Sequence, residues 1–98
     1  MITIEQRDNQ IISEVARELQ RQIDKWGVQQ HQPLIWNAIL GEEVGEVSKA
    51  ILETWFQGKA NFTNGEEYRQ ELIQVAAVAI SAIRAIDMEN EAREVSHD

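Results

Sequence analysis

Apolar side chains recur at helical spacing over three long stretches of the chain, and turn-forming residues separate these stretches. In the first stretch, one face of the predicted helix collects Ile12, Val15, Leu19, Ile23 and Trp26. Thr3 and Gln6 have the spacing of a capping box, and Gly27 provides a stop. The pattern therefore predicts a first helix from about residue 4 to residue 25.

A polar loop over residues 27–33 precedes a second helix. The loop is bracketed by a glycine and by the chain's single proline, and both residue types are typical of turns. Helical periodicity then runs over about residues 34–56, and Gly58 is the next turn-forming residue. The sequence therefore predicts a second helix of a length similar to the first.

The segment GKANFTNG at residues 58–65 is rich in glycine and asparagine and leads into a third helix. Asn64 and Glu67 have the spacing of a second capping box, which predicts a helix over about residues 65–88. Residues 89–98 are charged and short of apolar side chains, and we expect a short extra turn or a frayed tail there. No stretch shows the alternation of a strand, so the predicted fold is all-α.

The chain is too small for three helices to bury all of its apolar surface. Its 98 residues, 43% of them hydrophobic, make a single domain whose own core covers only part of the chain. The third helix is apolar nearly all round over residues 72–86, and small side chains allow close approach there: Ala76, Ala77, Ala79 and Ala82. We expect a helical bundle of three main helices per chain, completed by oligomerisation as a homodimer or a homotetramer.

The composition also restricts the compartment and the partners. The chain has no cysteine, which suits a reducing compartment. Charged residues among the first ten argue against a signal peptide, and the apolar run over residues 72–86 is too short and too interrupted to cross a bilayer. A formal net charge of −8 opposes adhesion to nucleic acid or anionic lipid. We expect a cytoplasmic protein with neither a nucleic-acid nor a membrane partner.

Two glutamates interrupt the apolar surface of the second helix, in the segment ILGEEVGEVSKAIL. At about 100° per residue, one stripe of this helix collects Leu40, Val44, Val47 and Ile51. The strip directly beside it collects Trp36, Ile39, Glu43, Glu46 and Ala50. Glu42 and Lys49 project to the opposite, solvated side. The spacing therefore predicts two inward-facing carboxylates, those of Glu43 and Glu46.

The third helix repeats this arrangement around Glu71. Its stripe collects Glu71, Val75, Val78 and Ala82, and Gln74 lies on the flank. A single inward glutamate usually keeps its head in water at the edge of a core, but three on facing helices repel one another unless a cation lies between them. Mg²⁺ prefers oxygen ligands and keeps waters that phosphate can replace. A di-iron centre is disfavoured because neither helix has the Glu-x-x-His pair that such centres use.

The segments EEVGEV and ELIQVAAVAI resemble the MazG-type all-α nucleoside triphosphate pyrophosphatases, whose signature is E-x-x-E on one helix and E-x-x-D on the next. Glu43 and Glu46 match the first half of this signature. Glu71 matches the start of the second half, where Gln74 stands in place of the usual Asp. The upstream segment KWGVQQHQP, with His31, is similar to MazG-like and dCTP-pyrophosphatase-like members. The similarity spans roughly residues 15–87.

The resemblance implies Mg²⁺-dependent hydrolysis of a (d)NTP between its α and β phosphates, which yields a (d)NMP and pyrophosphate. It implies that Glu43, Glu46 and Glu71 are catalytic and bind the metal, with Gln74 as a further ligand. An amide oxygen can ligate Mg²⁺ but lacks the charge of Asp, so we expect weaker metal affinity or water activation. Which glutamate acts as the base stays open.

Nearby cations and aromatic side chains are candidates for substrate binding. The candidate phosphate contacts are Lys25, Lys49, Lys59 and Arg69, each of which also fits an ordinary surface charge. Trp26, His31 and Trp36 could stack on or hydrogen-bond to a base, although both tryptophans also fit core packing. The alternative to an enzyme is a noncatalytic helical binding or assembly module that keeps the fold and has lost turnover through Gln74.

Overall fold

The computed structural model describes residues 1–56 and 66–96, and these residues form three α-helices without a strand. In chain order the helices are α1 (Ile4–Trp26), α2 (Pro33–Phe56) and α3 (Glu66–Ser96). The all-α prediction is confirmed. The predicted cap at Asn64 and the candidate phosphate contact Lys59 lie outside the described residues.

Both ends of α1 are built as its sequence indicates. The backbone N–H of Gln6 donates to Thr3 Oγ1 at 3.1 Å, and the backbone N–H of Thr3 donates to Gln6 Oε1 at 2.8 Å, which completes the capping box. Gly27 has a φ of 75°, in the left-handed region that glycine adopts without strain. Its N–H donates to the Ile23 carbonyl at 2.7 Å, which closes the helix.

The start of α2 is held against α3 by the loop that precedes it. Pro33 is the first residue of the helix, one residue earlier than predicted, because proline lacks the N–H that has no partner at this position. The backbone N–H of Trp36 donates to the Gln32 carbonyl at 3.1 Å. The side-chain amide of Gln30 donates to the Ala85 carbonyl on α3 at 2.7 Å. These bonds fix where Trp36 enters the core.

The last helix is longer than its apolar pattern indicated. We predicted an end near residue 88 followed by a short turn or a frayed tail, and this was wrong because α3 continues to Ser96. Glu89 and Arg93, one helical turn apart, approach to 3.4 Å on this exposed extension. Charged residues with good helix propensity prolong a helix without apolar periodicity, so the pattern underestimated its length.

α3 is the central helix of the chain. It packs against both α1 and α2, whereas α1 and α2 make at most a marginal contact with each other. The buried cluster between α1 and α3 consists of Val15, Ile73 and Ala77. The buried cluster between α2 and α3 consists of Trp36, Val78 and Ala85. Because α1 and α2 cover different parts of α3, a cleft remains between them.

The chain is extended and leaves much apolar surface uncovered. Its radius of gyration is 16.7 Å, whereas a compact domain of this length has about 13 Å. Large apolar side chains are exposed along α2 and α3, among them Val44, Ile51, Leu52, Trp55, Leu72, Ile80, Ile83 and Ile86. Within residues 1–56 and 66–96, no helix combines the length and the hydropathy that crossing a bilayer requires.

Candidate functional site

A cleft of about 210 Å³ lies where the end of α1, the first half of α2 and the middle of α3 approach one another. We call it the three-helix cleft. The polar and aromatic side chains that line it include Gln22, Trp26, Trp36, Glu43, Ser81 and Arg84. It therefore brings a predicted catalytic glutamate together with both predicted base-stacking tryptophans.

Glu43 is the half-buried acid of the three-helix cleft. Burial raises the pKa of its carboxyl group, and the negative charges of Glu71 and Glu46 raise that pKa further. Glu42 and Glu18 act in the same direction. Carboxylates from all three helices therefore act on the ionisation of Glu43.

Glu46 does not face inward as its spacing predicted. Its side chain is exposed, although its charge still acts on Glu43. The face of α2 that packs on α3 is centred on Trp36, Glu43 and Ala50. Glu46 therefore lies at the edge of the contact, because helix α2 is rotated relative to the face that the apolar pattern alone indicated.

Glu71 and Gln74 are both partly buried on α3, but they act on different neighbours. The charge of Glu71 acts across the helices on Glu43, as the predicted facing arrangement requires. Gln74 is engaged with α1, where its Oε1 accepts a hydrogen bond from Gln22 Nε2 at 3.3 Å. A hydrogen bond from Gln74 also contributes to lowering the pKa of Glu18. Its predicted role as a metal ligand stays a prediction.

Glu18 is a buried acid that our sequence analysis missed. It is only 7% exposed, and it accepts two hydrogen bonds from Arg21, at 2.8 and 2.7 Å, and one from Gln22 at 2.9 Å. The Arg21 hydrogen bonds hold the pKa of Glu18 below its usual value although burial acts to raise it. Its spacing from Val15 and Leu19 on the apolar stripe of α1 was the signal that could have found it.

The three aromatic candidates do not form one pocket. Trp26 is 54% exposed, which excludes core packing for it, whereas Trp36 is 7% exposed and is part of the core. The His31 ring lies edge-on to Trp36, with 4.9 Å between ring centroids, and lines a separate cleft of about 610 Å³ beside the end of α3. Trp36 is thus a wall between two clefts. Its buried Nε1–H finds no acceptor among the described residues.

Of the predicted phosphate contacts, the three that lie in the described residues do not line the three-helix cleft, and a different cation lines it. The Lys25 ammonium lies 4.6 Å from the centroid of the Trp26 ring, beside the cleft. Lys49 is exposed, and Arg69 is paired with a glutamate of α1. Arg84 lines the cleft itself, and its place as a charge inside the apolar run of α3 was the signal for it.

The donor chemistry of this site suits a hard divalent cation such as Mg²⁺. Carboxylate oxygens are its preferred ligands, and the repulsion felt by Glu43 is the kind that a cation relieves. In the described part of the chain, no three Asp, Glu or His side chains converge as a ready set of ligands. The charges of Glu46 and Glu71 therefore act on Glu43, but the three carboxylates do not form a closed coordination shell in this conformation.

Comparisons with protein-family models, with curated proteins and with solved structures find no match to this chain.

Proposed function

We propose that this protein is a Mg²⁺-dependent nucleoside triphosphate pyrophosphohydrolase of the MazG-like type, which converts a (d)NTP to the (d)NMP and pyrophosphate. The observation that supports the proposal best is the electrostatic cluster at Glu43. This half-buried acid feels the charges of Glu46 and Glu71 and shares its cleft with two tryptophans. A cation and an aromatic anion are the two ligands that such a site would accept together.

Each acidic residue has a proposed role in this reaction. Glu43, Glu46 and Glu71 would hold Mg²⁺, which when bound supplies positive charge against the phosphates. Water adds to the α-phosphorus while the bond to the α,β-bridging oxygen breaks, and pyrophosphate leaves with that oxygen. One of these carboxylates would accept the proton of the water.

The tryptophans suit recognition of the base. Trp26 offers an exposed indole face at the mouth of the three-helix cleft, and Trp36 forms its inner wall. Indole faces stack on any nucleobase, so they would provide affinity with little selectivity for the base. In this proposal His31 contacts the far side of Trp36 and supports the wall.

Assembly with a second copy is also part of the proposal. The chain exposes 7658 Å² of surface, whereas a monomeric protein of 11.2 kDa exposes about 5,700 Å². The excess of about 2,000 Å² is comparable to what each chain of an obligate homodimer buries. The uncovered apolar side chains of α2 and α3 are the surface that a second copy would cover.

A direct assay tests the enzymatic proposal. We expect pyrophosphate release from a panel of (d)NTPs with excess Mg²⁺, and loss of at least about 100-fold in kcat for Glu43→Gln or Glu71→Gln. Glu42→Gln is the matched control, since Glu42 is exposed on the outward side of α2. No pyrophosphate from any substrate, or an unchanged rate in Glu43→Gln, would rule out this mechanism.

The second candidate is a noncatalytic helical binding module. The observation that favours it is the engagement of Gln74 with Gln22 and Glu18, which takes the side chain at the usual Asp position toward α1. Gln74→Asp separates the two candidates. If Gln74 is a metal ligand, the variant binds Mg²⁺ more tightly and keeps turnover, but if it orients α1, the variant loses stability beside Glu18.

A further inference from the structure

Arg84 is a half-buried cation on the wall of the three-helix cleft. One of its guanidinium nitrogens donates to the Ser81 hydroxyl at 3.5 Å, and within residues 1–56 and 66–96 it forms no ion pair. Arg21 and Arg69, by contrast, are each held by a glutamate. Arg84 is therefore positioned without a counter-ion from the described chain.

Arg84 is the only lysine or arginine of residues 1–56 and 66–96 that is partly buried, and the other seven are exposed. A guanidinium that loses part of its hydration is stabilised when it meets an anion. Glu43 lines the same cleft, but no ion pair joins it to Arg84 in the described residues.

The neighbours of Arg84 suit one end of a charged ligand. Gln22, Gln29 and Ser81 line the cleft and offer neutral hydrogen-bond donors that an anion accepts. The volume of about 210 Å³ is below the range of about 300–1,000 Å³ that encloses whole small-molecule ligands. The cleft therefore has room for a fragment such as a phosphate chain, while the rest of the ligand would lie over exposed Trp26.

We propose that Arg84 binds the phosphate chain of a nucleotide in the three-helix cleft, which Glu43 also lines. A guanidinium presents a planar fork of N–H donors that matches two phosphate oxygens. The nucleotide part of this inference rests on the proposed function, whereas the binding of a polyphosphate anion does not. Because Glu43 repels a bare anion, binding is strongest with Mg²⁺ present.

Binding of a ligand that cannot be cleaved tests this role without relying on turnover. The full chain is titrated calorimetrically with an α,β-methylene dNTP analogue, and separately with inorganic triphosphate, both with Mg²⁺. We expect Arg84→Gln to lower the affinity for both ligands by at least about 10-fold, which corresponds to about 1.4 kcal/mol. The affinity of Arg84→Lys should lie between those of Arg84→Gln and the wild type, because lysine keeps the positive charge but lacks the planar fork of donors.

Arg7→Gln is the matched control, since it removes the same charge from an exposed position at the far end of α1. If Arg84→Gln does not fold, a second measurement on the wild-type chain tests the inference instead. Phenylglyoxal modifies arginines, and mass spectrometry should show that the analogue protects Arg84 and leaves Arg7 unprotected. Equal affinities of Arg84→Gln and the wild type, or no protection of Arg84, would overturn the inference.

The failure of this inference can be told apart from the failure of the proposed function. If binding depends on Arg84 but no dNTP releases pyrophosphate, the anion site is supported and the proposed hydrolase activity is contradicted. Release of pyrophosphate that Arg84→Gln leaves unchanged, in kcat and in KM, supports the hydrolase and removes the role of Arg84. A wild-type chain that binds neither the analogue nor inorganic triphosphate removes the anion site.

Discussion

At the scale of single residues, Glu18 and Glu43 show how neighbours decide the ionisation of the same side chain. Glu18 is buried among donors, and the Arg21 hydrogen bonds hold its pKa low. Glu43 is partly buried among other acids, and burial and their charges raise its pKa. Substitution of the two residues, and a change of pH, should therefore change the free energy of unfolding in opposite directions.

Glu43→Gln should stabilise the chain at neutral pH in the absence of divalent cations. A carboxyl group whose pKa is raised on folding favours the folded state in acid, and this contribution is lost as the pH rises through the folded pKa. The amide cannot ionise, so the variant should have a higher Tm than the wild type at about pH 7 and a smaller difference at about pH 4. Thermal melts in a chelating buffer measure this. A lower Tm of Glu43→Gln at neutral pH would contradict the assigned repulsion.

Glu18→Gln should destabilise the chain, because it removes a buried carboxylate that accepts hydrogen bonds from Arg21 and Gln22. Loss of hydrogen bonds to a charged group costs about 1.5–3 kcal/mol. A lowered pKa stabilises the folded state above the unfolded pKa, and this is lost as the pH falls through the folded pKa, so the cost should shrink in acid. Urea unfolding at two pH values measures it. Glu14→Gln is the control, since that glutamate pairs with Arg69 at the exposed surface and should matter little.

At the scale of the helices, the central position of α3 decides which faces are covered. α1 packs on α3 through one buried cluster and α2 through another, so α1 and α2 do not cover each other. α2 consequently buries Trp36 and Ala50 and leaves Val44 and Ile51 exposed. The exposed edge of α2 is therefore a candidate contact with a second copy of the chain.

The double variant Val44→Lys and Ile51→Lys should weaken self-association. Burying ammonium groups in an apolar contact is costly, and a two-fold interface meets each substitution twice. We expect the dissociation constant to rise by at least about 100-fold, equivalent to about 2.7 kcal/mol. Sedimentation velocity at micromolar concentration measures it. Ala38→Lys is the control, because Ala38 is exposed on another side of α2. Equal association of both variants would show that this edge is not the interface.

At the scale of the whole molecule, the chain is elongated and its buried core is small. Six of the seven buried apolar side chains in the described residues form two small clusters, and no large side chain there is completely buried. Any ligand that binds only the folded state should therefore raise its Tm visibly. A wild-type chain that stays an 11.2 kDa monomer at micromolar concentration would contradict the proposed assembly.

Mg²⁺ should raise the Tm of the wild-type chain. At a concentration ten times its Kd, a ligand adds about 1.4 kcal/mol, and each kcal/mol raises the Tm of a domain of this size by about 4–8 °C. Differential scanning calorimetry with increasing Mg²⁺ measures the effect. The increase should shrink in Glu71→Gln and persist in Glu42→Gln, since Glu71 is a proposed metal ligand and its charge raises the pKa of Glu43 more than that of Glu42 does. An equal increase in both variants would place the ion elsewhere.

The sequence by itself determined the all-α class and both ends of α1. Capping at Thr3 and the stop at Gly27 are local interactions, so residues close in the chain suffice to predict them. The effect of the Glu71 charge on the pKa of Glu43 agrees with the helical spacing, which placed both residues on apolar faces of facing helices.

Only the tertiary structure decided which side chains share a cleft. The rotation of α2 on α3 exposes Glu46 and separates His31 from Trp26, because helix packing depends on the fit of whole surfaces. The packing of α1 on α3 brings Gln74 to Gln22 across 52 positions of sequence. The arrangement of all three helices places Arg84 on the wall of the cleft. Spacing along one helix carries no information about such distant partners, because they are set by the angle and register at which helices meet.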